Sequence, residues 1–352
     1  MVDWGRVAVI AAELATGAVL VGALFVLLWP VLKHRAIYPG GHLTEAMSHP
    51  SAHGLQHAEE VWLETEDGVR VHAWWSPARA AGGDEGADRD PGNESAGTGP
   101  GSRGAVLYCH GNAESMATRA WIAERLNRHD FDVLLFDYRG YGLSEGRASG
   151  EGLARDARAA WRHVIDKRGV PPDRVVLMGH SLGSAVATRL ALEVEAGQVA
   201  IGSDDTGPAA LAVGSPFPDM PTLFRHHAPW LPGFLLRWRK NRLAAGSRLG
   251  DVAVPVLVLI GTEDETIPPE ISRAVYAAAV KQQGAAGRAT DGDGGTSGGE
   301  AGAGEDAPGR PGSGDGAPGV RLVTVPAEHN TLMGHPETWA AIDRFLTEHG
   351  GR

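Results

Sequence analysis

The sequence has little cysteine and no excess of basic charge, and each shortage excludes a class of protein. Cys109 is the only cysteine in 352 residues, so an internal disulfide and a cysteine-based zinc cluster are both excluded. Aspartate and glutamate (43) outnumber lysine and arginine (32), which gives a formal net charge of −11. Without a basic surface, no nucleic-acid partner is expected. Hydrophobic residues still make up 43% of the chain, which is enough for a packed core.

One long apolar run lies near the amino terminus. Residues 7–32 contain a single charged residue, Glu13, and exceed the roughly 20 apolar residues that a membrane-spanning helix needs. A signal peptide is disfavoured, because its apolar region is usually about 7–15 residues long and follows a basic segment. The run therefore predicts one uncleaved transmembrane anchor and a membrane localisation. Basic residues lie on both sides of it (Arg6, then Lys33 and Arg35), which leaves the side of the catalytic domain open.

Glycine is abundant but unevenly distributed. Of the 49 glycines, 8 lie in residues 80–104 and 14 lie in residues 284–319. Both stretches are acidic and show no apolar periodicity, which is typical of insertions in surface loops. We predict that these two low-complexity inserts lie outside the core and carry no chemistry.

The rest of the chain alternates between short apolar runs and amphipathic stretches. A β-hairpin is predicted over residues 58–76, where alternating apolar residues flank a turn signal at 66–68. Further strands are predicted at 105–111, 132–140, 210–217, 254–264 and 320–330, and helices near 116–129, 150–168 and 336–348. Residues 174–183 are predicted to form a strand, a sharp turn and the start of a helix. Strands that alternate with helices form βαβ units. The pattern predicts one α/β domain over residues 58–348, with a mostly parallel sheet flanked by helices.

A nucleophile motif stands between a predicted strand and a predicted helix. The sequence Gly179-His180-Ser181-Leu182-Gly183 is a G-x-S-x-G elbow, in which the glycines make room for a strained turn. Ser181 would project its hydroxyl at the carboxyl edge of the sheet and at a helix N-terminus, where developing negative charge is favoured. The motif predicts a serine nucleophile.

A serine nucleophile needs a base and a group that orients the base, and both candidates follow strands. With this elbow the chain order is Ser, then acid, then His. Asp264 follows the apolar strand PVLVLIG and is the predicted acid, with Glu263 and Glu265 as alternatives. His329 follows the strand LVTV and is the predicted base. His335 is its rival, but it precedes a helix and a proline, so helix capping explains it.

The same site needs two backbone N–H donors for an oxyanion. One is expected at Leu182, directly after the nucleophile, and the other after the first strand of the domain. That position holds Asn112, which follows Gly111. We interpret His110 as a hydrogen-bonding residue of this loop rather than as a catalytic one. Cys109 is interpreted as a small core residue, with a reactive thiol as the less favoured alternative.

Taken together in order, six segments resemble a known superfamily: HGNAES, FDYRGYGLSEG, GHSLGS, GSPFPDM, PVLVLIGTEDETIP and EHN. The chain resembles the serine α/β-hydrolases, and among them the membrane-anchored hydrolases similar to abhydrolase-domain-containing protein 13 and their bacterial relatives. The resemblance implies the α/β-hydrolase fold and a catalytic triad of Ser181, Asp264 and His329. It also implies oxyanion donors at Asn112 and Leu182. Neither a metal nor a cofactor is implied.

Two further segments are predicted to lie near the site. Residues 137–144 lack the lysine and spacing of a phosphate-binding loop, so they are interpreted as a structural loop, with Tyr138 or Arg139 lining the pocket as the alternative. Residues 217–250 are predicted to form a short lid, where tryptophans and leucines stand beside clustered cations. A lid that rests on an anionic lipid surface and a cap helix that packs over the pocket both fit this pattern. His226 and His227 are interpreted as lid surface.

These features predict a serine hydrolase that cleaves carboxylic esters or thioesters through an acyl-enzyme. The predicted anchor and lid favour a small-molecule or lipid acyl substrate, or an acylated protein. The alternatives are a serine peptidase similar to prolyl aminopeptidases, and a membrane scaffold without catalytic activity. The number of copies that associate is left undetermined by the sequence.

Overall fold

The computed structural model describes residues 37–40, 49–78, 101–199, 207–230, 243–290 and 319–350, with residues 232–233 and scattered positions between 13 and 34. Most of the predicted anchor, most of each predicted insert and residues 234–242 of the predicted lid lie outside this description. No helix among the described residues is both long and apolar enough to cross a membrane. The transmembrane anchor therefore stays a prediction.

The central sheet has eight strands in the order β1-β2-β4-β3-β5-β6-β7-β8. They are β1 (Glu59–Glu64), β2 (Arg70–Ser76), β3 (Gly104–Cys109), β4 (Phe131–Phe136), β5 (Val175–His180), β6 (Ala210–Gly214), β7 (Val256–Gly261) and β8 (Val320–Val325). β1 pairs with β2 and β2 pairs with β4 in antiparallel orientation, and the other five pairs are parallel. The predicted mostly parallel sheet is confirmed. Strands β3 to β7 are buried along their whole length, as sheets covered on both faces require.

Six helices follow the strands in the described part of the chain. They are α1 (Ala120–Asn127), α2 (Gly150–Arg162), α3 (Leu182–Glu195), α4 (Met220–His227), α5 (Pro269–Thr290) and α6 (Pro336–His349). Apolar residues of α2, α3 and α5 pack on one face of the sheet, and those of α1 and α6 pack on the other. This three-layer arrangement is the α/β-hydrolase fold that the sequence predicts.

The edges of the predicted inserts belong to ordered structure. Helix α5 continues to Thr290, past the predicted insert start at 284. At the other end, the carbonyl oxygen of Gly319 accepts a hydrogen bond of 2.6 Å from the amide of Val256, at the start of β7. Residues 102 and 103 of the first insert likewise accept hydrogen bonds from Arg174. The low-complexity composition thus extends over several residues that take part in the fold.

Residues upstream of the predicted domain start also contribute to the core. The described positions between 13 and 37 are helical, and we call this segment the N-terminal helix. Several of its leucines are exposed, for example Leu20 at 65% and Leu27 at 74%. At its end the environment changes, because Ile37 and Tyr38 are buried in the same cluster as α2 and α3. The segment that follows the helix is therefore part of the folded body.

Candidate active site

The turn between β5 and α3 holds Ser181 in a conformation that few serines adopt. Its φ is 55° and its ψ is −119°, in the positive-φ region that is strained for residues with a side chain. A side chain at Gly183 would collide with the carbonyl of Cys109 at the end of β3, and one at Gly179 would collide with the carbonyl of Gly183. The two glycines are thus required by close backbone approach, as the motif predicts. Ser181 is left at the carboxyl end of β5, directly before the N-terminus of α3.

Three residues from separate loops meet at this turn. The Nε2 atom of His329 lies 3.0 Å from the Oγ of Ser181, and the Nδ1 atom lies 2.7 Å from Oδ2 of Asp264. Because a carboxylate only accepts hydrogen bonds, Nδ1 carries the proton and Nε2 is free to accept from the serine hydroxyl. All three residues are at most 9% exposed. The sequence-predicted serine, acid and histidine therefore form one connected chain of hydrogen bonds.

The carboxylate of Asp264 is held by more than the histidine. Its Oδ1 accepts from the amide of Ile267 at 2.7 Å, and its Oδ2 also accepts from the hydroxyl of Ser215 at 2.7 Å. Burial opposes ionisation, but the hydrogen bonds from His329, Ile267 and Ser215 outweigh it and keep the pKa of Asp264 below its ordinary value. The acid is therefore ionised at neutral pH and fixed in position.

Ser215 is a site residue that the sequence interpretation does not single out. It follows β6 directly, is 1% exposed, and has a left-handed backbone with φ of 46°. Such strain in a non-glycine residue concentrates at functional sites. Its segment, GSPFPDM, contributes only to the family resemblance. A serine after a strand is otherwise an ordinary turn residue, so nothing in the nearby sequence indicates that Ser215 bonds to Asp264.

His180 packs its ring against the ring of His329. The two ring centroids lie 4.7 Å apart, and His180 is fully buried. Neither of its ring nitrogens has a hydrogen-bond partner in the described part of the protein. Burial, together with the neighbouring His329, lowers its pKa to about 3, so the ring is neutral at physiological pH. His180 therefore supports the base through contact rather than through charge.

The loop that carries Asn112 begins at the end of β3, where the carbonyls of Cys109 and His110 approach Gly183 of the nucleophile turn. The carboxylate of Glu114 accepts a hydrogen bond from the amide of Gly111 at 3.0 Å. Ala113, the residue after Asn112, has a positive φ of 56°. Within the described residues, neither the amide of Asn112 nor that of Leu182 donates to a protein acceptor. Both donors are thus free for an oxygen atom of a ligand.

The alternative candidates for the acid, the base and the nucleophile do not take part in this chain of hydrogen bonds. Glu263 and Glu265 are exposed. The Nδ1 atom of His335 accepts from the amide of Glu337 and caps α6, as its sequence position suggests. Cys109 is fully buried, and burial raises the pKa of its thiol, which disfavours a reactive thiolate.

The loop at 137–144 is structural in its described contacts. The Tyr138 hydroxyl donates to the carbonyl of His110 at 2.9 Å. The Arg139 guanidinium donates to Asp156 and Asp67, both at 2.8 Å. Tyr138 and Arg139 are almost completely buried. These contacts favour the structural interpretation over a pocket-lining role for either side chain.

The described part of the predicted lid includes α4. Leu223 and Phe224 of this helix pack against the core, while Trp230, beyond its end, is 77% exposed. The Nε2 atom of His227 lies 2.8 Å from the carbonyl oxygen of Thr266, close to the acid loop. No group of three or more potential metal ligands occurs in the described residues.

Comparison with known proteins places this arrangement in a family. Residues 100–245 match the family model described as serine aminopeptidase, S33. An uncharacterized protein of Mycobacterium tuberculosis, Rv2307c, is 37% identical over 233 residues, which cover 66% of this chain and 71% of the relative. The chain belongs to the serine α/β-hydrolase superfamily. It is therefore a hydrolase of the serine class.

More distant members of the superfamily carry more specific names. Lysophosphatidylserine lipase ABHD12 of Danio rerio is 27% identical over 250 residues, which cover 65% of this chain and 61% of that protein. Among solved structures, the Pyrococcus furiosus esterase Pf2001 aligns with a TM-score of 0.56 at 19% identity, over 85% of this chain and 94% of the esterase. An α/β-hydrolase from Vibrio vulnificus aligns with the same TM-score at 18% identity, over 86% and 87%. At such identities these structures show a shared fold.

Proposed function

We propose that this serine α/β-hydrolase cleaves carboxylic ester or thioester bonds through a covalent acyl-enzyme. The observation that carries the proposal is the chain of hydrogen bonds from Ser181 through His329 to Asp264, at 3.0 and 2.7 Å, at a strained turn. Nucleophile, base and orienting acid stand in the geometry that activates a serine.

The first half-reaction forms the acyl-enzyme. Ser181 Oγ attacks the carbonyl carbon of the substrate while His329 Nε2 takes the hydroxyl proton. Asp264 keeps the imidazole in the required tautomer and stabilises the imidazolium that forms. The amides of Asn112 and Leu182 donate to the oxyanion, and the N-terminus of α3 adds a favourable field. His329 then gives the proton to the leaving alcohol or thiol as the carbon–oxygen or carbon–sulfur bond breaks.

The second half-reaction releases the acid. His329 takes a proton from water, and the resulting hydroxide attacks the acyl carbon of the Ser181 ester. Collapse of the second tetrahedral intermediate returns the proton from His329 to Ser181 Oγ. The products are a carboxylic acid and the free enzyme, so the atoms and protons balance with water as the only co-reactant.

Exposed apolar surface and the name of one relative indicate a lipid-like substrate. The exposed leucines of the N-terminal helix and the exposed Trp230 are apolar surface of the kind that contacts lipid. The lipase name of the Danio rerio relative agrees with an acyl-lipid substrate. We include in the proposal that residues 7–32 anchor the protein in a membrane, and that acyl lipids or acylated proteins reach the site from there.

A peptidase is the second candidate, because the matching family model is described as a serine aminopeptidase. Glu114, a largely buried acid of the Asn112 loop, is already bonded to Arg119 and to the amide of Gly111, so it is not available to a peptide amino terminus. The lipase name of the Danio rerio relative favours the ester or thioester hydrolase.

Labelling with a fluorophosphonate probe tests the proposal directly. Full-length wild type, Ser181→Ala and the surface control Ser247→Ala are compared for labelling and for hydrolysis of esters and thioesters of increasing acyl length. We expect labelling of wild type and Ser247→Ala only. Loss of the nucleophile is expected to lower kcat by about 10⁴-fold or more.

The pattern of substrates then separates the candidates. Hydrolysis that increases with acyl length supports a lipid-directed enzyme, and preference for amino-terminal peptide amides supports the peptidase. A folded wild type that neither takes up the probe nor hydrolyses any substrate would overturn the proposal in favour of a non-catalytic scaffold.

A further inference from the structure

An oxyanion hole works only if its donors are fixed in place before the charge develops. Leu182 meets this requirement because it begins α3. Asn112 lies in a loop, and the next residue, Ala113, has a left-handed φ of 56°, which is unfavourable for a residue with a side chain. Such a conformation persists only where the surrounding structure holds it. Contacts from outside the loop must therefore hold it.

The contacts within the loop do not fix its position relative to the rest of the protein. Glu114 binds the amide of Gly111, and the ring of His110 lies 2.7 Å from the carbonyl of Gly111. Both contacts shape the turn, but they join residues within three positions and do not locate it against the rest of the protein. Tyr138 fixes the start of the loop through the carbonyl of His110, two residues before the donor.

The ring of His110 packs against Tyr138 and Tyr141, and the side chain of Asn112 adds two long-range hydrogen bonds. Its Nδ2 donates to the carbonyl oxygen of Ile37 at 2.6 Å, and its Oδ1 accepts from the hydroxyl of Tyr141 at 2.6 Å. Because a backbone carbonyl only accepts, the orientation of the amide is determined by the network. Both ends of the side chain are thus engaged, by partners 75 and 29 residues away in the sequence.

The segment that carries the Ile37 carbonyl is itself held firmly. Ile37 is fully buried, and Tyr38 is 5% exposed. The amide of Tyr38 donates to the carbonyl of His34 at 2.8 Å, and the His34 ring lies 2.9 Å from the carbonyl of Ala148, just before α2. The end of the N-terminal helix is therefore fastened both to the folded body and to the oxyanion loop.

We propose that the Asn112 side chain is a positioning group for the oxyanion hole, and that the end of the N-terminal helix is the fixed point to which it ties the loop. The inference rests on the proposed function, since it assigns one of the two oxyanion donors a support. The main-chain amide of Asn112 binds the developing charge, and its side chain sets where that amide points. Displacement of Ile37 therefore lowers turnover without any change at Ser181, His329 or Asp264.

The decisive experiment is a double-mutant cycle in the full-length protein. Asn112→Asp keeps the shape of the side chain but removes the donor to Ile37, and Ile37→Ala loosens the packing that fixes the carbonyl. For a soluble short-chain ester, we expect each variant to lower kcat by about 10- to 100-fold with KM within about threefold. Because both act through one contact, the double variant is expected to be no slower than the slower single one.

Matched controls separate positioning from loss of stability. Ser247→Ala, the exposed surface control of the labelling experiment, is expected to leave kcat unchanged, and the melting temperature of every variant is measured alongside. Tyr141→Phe removes only the second bond of Asn112 and is expected to give a smaller fall in kcat. If Asn112→Asp does not fold, Tyr141→Phe together with Ile37→Ala decides the matter by the same criterion.

Two results would overturn the inference. The first is a folded Asn112→Asp with kcat within twofold of wild type, and the second is a double variant in which the two effects multiply. Failure of the proposed function looks different, because wild type itself would then neither take up the fluorophosphonate probe nor hydrolyse the ester. If wild type is active and Asn112→Asp is equally active, the positioning role is wrong while the proposed function stands.

Discussion

Ser215 has a strained backbone, and its hydroxyl donates a hydrogen bond to the proposed catalytic acid, Asp264. We expect Ser215→Ala to lower kcat/KM by about tenfold, since a hydrogen bond to a charged group contributes roughly 1.5–3 kcal/mol. The Ser215 hydroxyl helps to keep the pKa of Asp264 low. Its loss raises that pKa, so the acid limb of the kcat/KM profile moves to higher pH. A pH profile of ester hydrolysis measures both effects.

The control for this prediction is a neighbouring serine of equal burial. Ser272 is also fully buried, and its hydroxyl donates to the carbonyl of Pro216 at 2.8 Å, one residue beyond Ser215. Ser272→Ala should therefore cost comparable stability and leave the acid limb in place. If the two variants shift the profile alike, Ser215 has a structural role only.

His180 makes the stability of the protein depend on pH. Its pKa is about 3 in the folded state, against an ordinary value of 6.5. Between these values the unfolded chain binds a proton that the folded chain does not, so stability falls as the pH drops through this window. At pH 5 this amounts to about 2 kcal/mol relative to the plateau at higher pH.

Urea unfolding at pH 7.5 and pH 5 measures this dependence. His180→Gln cannot titrate and should show a smaller loss of stability between the two pH values than wild type. His226→Gln, which replaces an exposed histidine of α4, should behave like wild type. Equal losses in wild type and His180→Gln would contradict the assignment.

At the scale of the elements, the contact between β3 and α3 depends on the absence of one side chain. A Cβ at Gly183 would overlap the carbonyls of Cys109 and His110, so Gly183→Ala must push the helix from the strand. We expect a loss of about 3 kcal/mol in the free energy of unfolding and a large fall in activity. Thermal unfolding and probe labelling measure the two.

Gly334 is the matched control for this substitution. A Cβ at this position would meet no atom within 4 Å, and its backbone conformation is an ordinary one. Gly334→Ala should therefore change stability by less than about 0.5 kcal/mol. A Gly183→Ala protein as stable as Gly334→Ala would show that the space between the helix and the strand accommodates a methyl group.

The sequence predicts best those elements whose structure is determined by residues close together in the chain. The elbow around Ser181 is specified by its own glycines. Strand β7 is a continuous apolar run and β8 is rich in valine and leucine, and the loops after them carry Asp264 and His329. Ser215 and Ile37 could not be found in this way, because their partners lie 49 and 75 residues away. Their roles exist only once β6 lies beside β7, and once the end of the N-terminal helix lies beside the loop after β3.

At the scale of the whole molecule, the acid and the base are joined without the second insert. Strands β7 and β8 pair directly from Val256–Val320 to Gly261–Val325, and this pairing sets Asp264 against His329. We therefore expect that replacing residues 291–318 by a short Gly/Ser linker leaves ester hydrolysis within a few-fold of wild type. This replacement keeps all of α5 and the Gly319 contact to Val256.

A longer deletion tests whether the boundaries of this replacement are the right ones. A longer deletion of residues 284–319 removes the last turns of α5 and the carbonyl that Val256 binds, and it should lose stability. A folded protein without residues 291–318 that no longer labels at Ser181 would contradict the expectation, and would assign those residues a part in the site.

The separation of the nucleophile from its base along the chain has a consequence during synthesis. Ser181 and His329 are 148 residues apart, and His329 follows the last strand of the sheet. At about 5–20 residues per second, a ribosome makes the serine roughly 7–30 s before the histidine. Throughout that interval the growing polypeptide carries a nucleophile with nothing to deprotonate it. The enzyme thus acquires its activity only after His329 has been made, and a product terminated before that residue is inert.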